Sequence, residues 1–145
     1  MKHTSRGVTL IELMIVVVVV AILASIAVPS YRQFVLRSHR TEARSALLNV
    51  AAAQEKFYLQ CNEYSTALAG DPAAACDSRG LGFDNATLEY YNISMDAAAE
   101  TFTIQADAKG GQVADTDCKV MDIDEQGLKR GGSSSSSLTA GGCWD

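Results

Sequence analysis

Hydrophobic residues follow three patterns along the chain, and the first is a continuous apolar run. Between Val8 and Val28 there are 21 residues, of which Glu12 is the only charged one. A helix rises about 1.5 Å per residue, so a run of this length can cross the roughly 30 Å of hydrocarbon in a bilayer. The pattern predicts a membrane-spanning helix over residues 8–30.

The second pattern has the spacing of a helix with one apolar side. Its apolar members are Tyr31, Phe34, Ala43, Leu47, Val50 and Phe57. We predict an amphipathic helix over residues 31–60, with a bend at Pro29, which lacks the N–H of a helical hydrogen bond. The helical spacing is then lost in a segment rich in Gly, Ala, Asp and Pro, so residues 61–89 are expected to form a connecting loop.

The third pattern is an alternation with a period of two, which is typical of strands. The inward-facing candidates are Tyr91, Ile93, Met95, Phe102, Ile104, Ala106, Met121 and Ile123. Three or four antiparallel strands within residues 90–145 would cover the apolar side of the amphipathic helix, which gives an α+β fold. The stretch GGSSSSSLTAGG is small and polar, and we expect it to be a flexible loop.

Charge is distributed unevenly between the predicted helix and the head that follows it. Residues 8–60 have a net charge of +2, whereas residues 61–145 carry five basic and fourteen acidic side chains, a net charge of −9. Such a head repels the nucleic-acid backbone on average, although a local basic patch can still attract it. The helix has a basic group that can meet anionic lipids, acids of a neighbouring subunit or only solvent. Its members are Arg32, Arg37, Arg40 and Arg44.

All four cysteines follow the apolar segment: Cys61, Cys76, Cys118 and Cys143. An even number in a small exported domain indicates disulfides, and three pairings are possible. Pairing sequence neighbours would close loops of about 15 and about 25 residues. The sequence has no CxxC pair and only two histidines, which argues against a zinc site. The compartment is therefore expected to be oxidising, meaning the periplasm or the cell surface.

The acid within the apolar run is the least expected residue of the sequence. A charge at bilayer depth costs about 2.5 to 3.5 kcal/mol on insertion scales, and such residues are usually functional and partnered. A secretory signal peptide would explain the basic start and the small residues of AILASIA, but it gains nothing from Glu12. A plain membrane anchor explains the acid no better.

The stretch RGVTLIELMIVVVVVAILASIAVPSY resembles the N-terminus of the type IV prepilin family. The resemblance implies that a prepilin peptidase removes residues 1–7 by cutting between Gly7 and Val8, and that the new amine of Val8 is methylated. Val8 stands where the family more often has Phe. The resemblance also implies that Glu12 pairs with the α-amino group of Val8 on a neighbouring subunit, and that residues 8–30 form the core of a filament. A proline at the position of Pro29 is common in the family.

The end of the chain carries a second resemblance. CKVMDIDEQGLK together with the final CW resembles PilE-like minor pilins of the type IVa pilus, which implies a disulfide between Cys118 and Cys143 around the C-terminal loop. The pair Cys61 and Cys76 is not a general feature of the family, and it would staple the connecting loop to the helix. The type IV pilin fold is a long helix packed on an antiparallel sheet.

The resemblance implies a structural subunit that primes or joins type IV pili, which serve adhesion and twitching motility. Its partners would be other pilin subunits, the prepilin peptidase, the inner membrane and the pilus assembly machinery. The subunit would cross the inner membrane once, with the leader in the cytoplasm and the head in the periplasm, before it joins the pilus at the cell surface. No catalytic or cofactor motif is present in the sequence, so we expect neither catalysis nor a cofactor.

Three alternatives stay open within the pilin-like class. A DNA-uptake pilin should show a basic stripe on the head, for which Lys119, Lys129 and Arg130 are the candidates. A type II secretion pseudopilin typically lacks the terminal disulfide, and a major pilin would share every feature above. A calcium site is disfavoured because no EF-hand loop is present, so a solvated acidic surface is expected instead. The acids concerned are Asp115, Asp117, Asp122, Asp124 and Glu125.

Overall fold

The protein is described here from a computed structural model, which covers residues 8–144. One helix, α1 (Leu10–Cys61), is 52 residues long and continues through Pro29. At its start, the hydroxyl of Thr9 accepts a hydrogen bond from the backbone N–H of Glu12 at 3.3 Å. At its end, Asn62 adopts the left-handed conformation with φ of 58° and donates its N–H to the carbonyl of Tyr58, a common way to close a helix. The bend at Pro29 stays a prediction.

The chain divides into two compact units, with the boundary between Val35 and Leu36. In the first unit the apolar side chains of α1 are exposed except that of Val35, which is half-buried, and the exposure of the large ones runs from 49% at Val19 to 77% at Leu10. Tyr31 and Phe34 were expected on the buried side of the amphipathic helix, and this expectation is wrong, since they are 68% and 70% exposed. The described part of this unit is helix alone, so it offers no second element for them to pack against.

The second unit, Leu36–Asp145, contains the C-terminal part of α1 and one antiparallel sheet. From here on this unit is called the head, which therefore includes part of the helix as well as the predicted head of residues 61–145. Its strands are β1 (Tyr91–Ala97), β2 (Phe102–Ala108), β3 (Val120–Asp124), β4 (Lys129–Gly132) and β5 (Thr139–Ala140), in spatial order β1-β2-β3-β4-β5. Two short 3₁₀ turns, Asn85–Thr87 and Gly110–Ala114, precede β1 and follow β2. The predicted α+β fold of one long helix on an antiparallel sheet is confirmed, with five strands in place of three or four.

The core lies between α1 and the inner face of the sheet. From the helix it receives Ala43, Ala46, Leu47 and Val50, and from the strands it receives Tyr91, Ile93, Phe102, Ile104, Ala106, Met121 and Ile123. The strand residues are the predicted inward-facing set, except that Met95 is only partly buried. Complete burial of one large apolar side chain contributes about 1.5 to 3 kcal/mol, so this layer is the main source of stability of the head.

The C-terminal segment is more ordered than its composition predicts. The expected flexible loop starts inside β4, where Gly131 and Gly132 are buried, and it also contains β5, which pairs with β4. A Cβ atom on Gly131 would lie 2.3 Å from the carbonyl oxygen of Gly142 and 2.7 Å from the Cβ atom of Cys143. The glycines therefore allow the returning chain to approach β4 closely, and a strand forms where low side-chain bulk had indicated a loop.

Side chains cover part of the free edge of β1. Asn85 receives the N–H of Ile93 on its Oδ1 atom at 2.6 Å and donates its Nδ2–H to the carbonyl of the same residue at 2.7 Å. Glu42 of α1 accepts the N–H of Tyr91 at 3.2 Å. These contacts replace the backbone partners that an additional strand would supply at these two positions.

Candidate functional site

Glu12 lies in the first turn of α1 within an exposed apolar surface. Its helical neighbours Val8, Ile15 and Val16 are 73%, 58% and 55% exposed. Among residues 8–144, Glu12 has no salt-bridge partner. Gly7, the other residue of the predicted cleavage site, lies outside the described residues. This part of α1 therefore carries one negative charge on an otherwise apolar exposed surface.

Thr9 is a contributor to this region that the sequence analysis missed. The spacing Thr-x-x-Glu is that of a capping box, in which the threonine hydroxyl binds the N–H of the glutamate at the third helical position. This spacing was visible in the sequence. The start of a helix also favours negative charge because its N–H groups and dipole point there, so α1 itself supports a carboxylate at Glu12.

In the head, a buried polar group, called the Arg40 cluster, joins α1 to the segment between β2 and β3. Its members are His39, Arg40, Tyr91, Gln112 and Asp115. Arg40 donates from Nε and Nη2 to the two carboxylate oxygens of Asp115 at 2.7 and 2.8 Å, a bidentate ion pair. Gln112 donates to the carbonyl of Leu36, the hydroxyl of Tyr91 and the carboxylate of Asp115. The cluster therefore ties the helix to the chain just before Cys118.

The charge state of Asp115 follows from its contacts. Burial alone would raise the pKa of Asp115, but the hydrogen bond and charge of Arg40, with the N–H groups of Cys118 and Asp117, outweigh burial and hold this pKa below its usual value. The same hydrogen bond raises the pKa of Arg40. Burial raises the pKa of the Tyr91 hydroxyl, which donates to the carbonyl of Cys118 at 3.2 Å. Arg40 and Asp115 are therefore both charged at neutral pH.

The four arginines of the basic group on α1 have different surroundings, which the sequence did not predict. Arg40 binds Asp115, and Arg44 donates its Nε–H to the carbonyl oxygen of Cys143 at 2.9 Å. The lipid, neighbouring-subunit and solvent interpretations are therefore wrong for Arg40, and for Arg44 they stay predictions. Arg32 and Arg37 remain exposed. Sequence gave no signal for this division, because the partners of Arg40 and Arg44 are 75 and 99 residues away along the chain.

Two disulfides fasten the loops of the head. Cys118 is bonded to Cys143 and Cys61 to Cys76, with sequence separations of 25 and 15 residues. The indole N–H of Trp144 donates to the carbonyl of Arg130 at 2.9 Å, which adds a second attachment of the C-terminus to β4. The end of the chain is thus held by both a covalent bond and a hydrogen bond.

The acidic and basic residues of β3 and β4 largely neutralise each other. Arg130 donates to Asp122 at 2.8 Å and lies 3.6 Å from Asp124. The ammonium group of Lys129 lies 5.2 Å from the centre of the Trp144 ring. Within the described part of the chain, no group of three or more His, Cys, Asp or Glu side chains converges as metal ligands would. Of the three cations considered for DNA, Arg130 is thus engaged by carboxylates, while Lys119 and Lys129 form no ion pair with any residue between 8 and 144.

α1 contains a stretch long and apolar enough, by length and composition, to cross a membrane. The prokaryotic N-terminal methylation motif matches residues 2–28, a range that includes Glu12 and the apolar run. A second match, described as "Type IV minor pilin ComP, DNA uptake sequence receptor", covers residues 29–122. Since that match covers more than half of the sequence, the chain belongs to the type IV minor pilin family.

Individual relatives agree with this family. The chain is 37% identical over 100 residues to a probable minor fimbrial protein of Dichelobacter nodosus, covering 69% of this chain and 60% of that protein. It is 46% identical over 61 residues to the type IV major pilin protein PilA of Myxococcus xanthus, covering 42% of this chain and 28% of PilA. A fimbrial protein of Neisseria meningitidis is 28% identical over 123 residues, covering 78% and 72%. The chain thus spans less than two thirds of the first two relatives.

Among solved structures, a type IV pilin from Shewanella oneidensis matches with a TM-score of 0.46 and 20% identity, covering 65% of this chain and 89% of that chain.

Proposed function

We propose that the protein is a structural subunit of type IV pili that assembles through its N-terminal helix. The observation that carries this proposal is the single carboxylate of Glu12 on an exposed apolar helix, inside a matching methylation motif. Members of this structural family assemble with other pilins. A helix with this surface is stable only in lipid or against other helices, and a filament of such helices supplies the second environment.

The proposed maturation supplies the partner of Glu12. Cleavage between Gly7 and Val8 by a prepilin peptidase creates an α-amino group, which is then methylated on Val8. Two isolated charges in a low-dielectric surface each keep their desolvation cost, whereas their mutual attraction offsets much of it when they meet. Glu12 of one subunit would therefore pair with the Val8 amine of the next and set the register of assembly.

The proposed function also implies where the subunit is located and which partners it has. Before assembly the subunit would cross the inner membrane once, with residues 1–7 in the cytoplasm and the head in the periplasm, where both disulfides can form. The pilus assembly machinery would then transfer it to a pilus at the cell surface, which serves adhesion and twitching motility. Cleavage and methylation are carried out on the subunit by other proteins in this scheme, so the scheme gives the subunit itself no catalytic task.

Intact mass of the protein from the envelope of its native host tests the proposal. We expect a chain that starts at N-methylated Val8 and lacks four hydrogens until reduction. An uncut chain that starts at Met1, in cells with an active prepilin peptidase, would contradict it. Glu12→Gln should then abolish recovery of the subunit in sheared pili, whereas the matched change at an exposed head position, Glu63→Gln, should leave recovery unchanged.

A second function, DNA binding during uptake, is favoured by the family match over residues 29–122. Of the three candidate cations at the sheet, Lys119 and Lys129 could contact phosphate, since Arg130 is held by Asp122. We propose testing the full processed chain in detergent by fluorescence anisotropy with duplex DNA at two salt concentrations. Lys119→Gln with Lys129→Gln should weaken binding and flatten its salt dependence, because fewer counterions are released. Binding that is unchanged by this pair, but lost with the control Arg79→Gln, would place the DNA site elsewhere.

A further inference from the structure

The exposed residues that follow the apolar run suggest a further interaction. Tyr31 and Phe34 are 68% and 70% exposed, and Arg32 between them is exposed as well. Because residues three apart share a helix face, Tyr31 and Phe34 lie on one face, while Arg32 is about 100° from Tyr31 and about 160° from Phe34 around the axis. We call these three residues the collar.

The collar lies at the depth where aromatic and basic residues act at a membrane surface. Val28 ends the apolar run, and Tyr31 to Phe34 follow about 4 to 9 Å further along the axis at about 1.5 Å per residue. Headgroup regions occupy the layer just outside the hydrocarbon, where Tyr rings are enriched and where an Arg near a helix end extends its charge toward water and headgroups. Among residues 8–35, Arg32 has no carboxylate partner. Its charge is therefore available to a phosphate.

We propose that the collar binds anionic phospholipid headgroups and sets the depth of the unassembled subunit in the membrane. This inference rests on the proposed membrane stage. Glu12 precedes Tyr31 by 19 residues, about 28 Å of helix. With the collar at one headgroup layer, Glu12 lies at the opposite edge of the roughly 30 Å hydrocarbon layer, away from its centre. The lipid contact thus keeps the carboxylate near water until a partner subunit is present.

Depth-dependent quenching of tryptophan fluorescence tests this geometry. The full processed chain would be reconstituted in vesicles of phosphatidylcholine and phosphatidylglycerol, with Tyr31→Trp in a Trp144→Phe background so that residue 31 is the only reporter. Far-UV circular dichroism and retention of both disulfides verify the head in this background. We expect stronger quenching by lipids brominated at acyl carbons 6 and 7 than by those brominated at carbons 11 and 12. Val20→Trp in the same background is the matched control and should show the opposite order.

Lipid preference is measured with the same reporter. At equal mole fraction, brominated phosphatidylglycerol should be enriched about fivefold over brominated phosphatidylcholine near residue 31, which corresponds to about 1 kcal/mol for one arginine at an anionic surface. Arg32→Gln should bring the ratio to one, whereas the head control Arg79→Gln should leave it unchanged.

Three results would overturn the inference. Stronger quenching of Trp at position 31 by the deep bromines would place the collar inside the hydrocarbon. A ratio of one with Arg32 intact would remove the lipid contact. The absence of quenching at both position 31 and position 20 would show that the helix is outside the bilayer, and this last result alone also refutes the membrane stage of the proposed function.

Discussion

Removal of the Asp115 carboxylate should be among the most destabilising single changes in the head. This carboxylate accepts both donors of Arg40, one donor of Gln112 and the N–H groups of Asp117 and Cys118. In Asp115→Ala all of these donors lose this acceptor, and the guanidinium of Arg40, whose side chain is only 13% exposed, keeps only the exposed carboxylate of Asp117, at 4.0 Å, as a charged partner. The change therefore leaves a largely buried cation without its bidentate partner and removes the acceptor of several N–H groups.

The expected loss follows from that inventory. Breaking a buried ion pair by removing one partner costs about 3 to 5 kcal/mol, compared with a total stability of about 5 to 15 kcal/mol for a domain. With a urea dependence of about 2 kcal/mol per molar, the unfolding midpoint should fall by about 2 M. Asp117 lies 4.0 Å from Arg40 and is 77% exposed, so the matched control Asp117→Ala should cost less than about 1 kcal/mol.

Urea unfolding of the full processed chain in detergent, followed by Trp144 fluorescence, measures this difference. The apolar double variant Arg40→Met with Asp115→Leu should recover at least half of the loss, because neither charge then stays buried alone. A fall of less than 0.5 M in the midpoint for Asp115→Ala, or a control that falls as far, would refute the assignment of stability to this pair.

The pH dependence has a definite sign. Since the pKa of Asp115 is lowered in the folded protein, its contribution is complete above the ordinary value of 3.8 and is lost as the pH falls through the lower folded value. The wild-type chain should therefore lose stability on acidification more steeply than the apolar double variant does. Equal acid dependence of the two would contradict the lowered pKa.

Three further changes test other features, each by the same urea assay. Gly131→Ala should destabilise the head by more than about 1 kcal/mol, since its Cβ would meet the Gly142 carbonyl at 2.3 Å, whereas Gly111→Ala, with open space around its Cβ, should be close to neutral. The double change Cys61→Ser with Cys76→Ser should lower the free energy of unfolding by about 3 kcal/mol, the chain-entropy value for a 15-residue loop. Reduction of this variant should lower it further only by the contribution of the Cys118–Cys143 disulfide. Leu47→Ala should cost about 2 to 5 kcal/mol because Leu47 is fully buried, whereas Leu59→Ala, at an 85% exposed position, should change the midpoint little; equal effects would contradict the core assignment.

The parts of this fold that sequence predicts are those with a regular apolar period. The spacing of Leu47 and Val50 marks the buried side of α1, and the alternation of Phe102, Ile104 and Ala106 gives the inner face of β2. Periodicity works there because the side chains that the core requires repeat with the geometry of the backbone. Tyr31 and Phe34 continue the helical period but are exposed. Their burial was predicted wrongly because the period does not indicate which part of the helix the sheet covers.

The polar connections of the head were beyond the reach of the sequence. Arg40 and Asp115 each resemble an ordinary surface charge, and only the fold brings together two residues 75 positions apart. Gln54 is similar, since its amide is completely buried and exchanges two hydrogen bonds with the backbone of Ser65. The side chain of Asn85 forms two hydrogen bonds with the backbone of Ile93, and no local sequence pattern predicts this contact. Glu12 is the exception, because an acid inside an apolar run can be recognised from the sequence alone.

The covered edge of β1 has a consequence for crowded conditions. In the proposed pilus many identical copies would lie side by side, and an open strand edge would let two heads join through their backbones. Asn85 and Glu42 occupy the groups of Ile93 and Tyr91 that would start such a pairing. In the proposed pilus the order of the copies would then be set by the helix, and the outer surface of the head could change without altering how the copies stack.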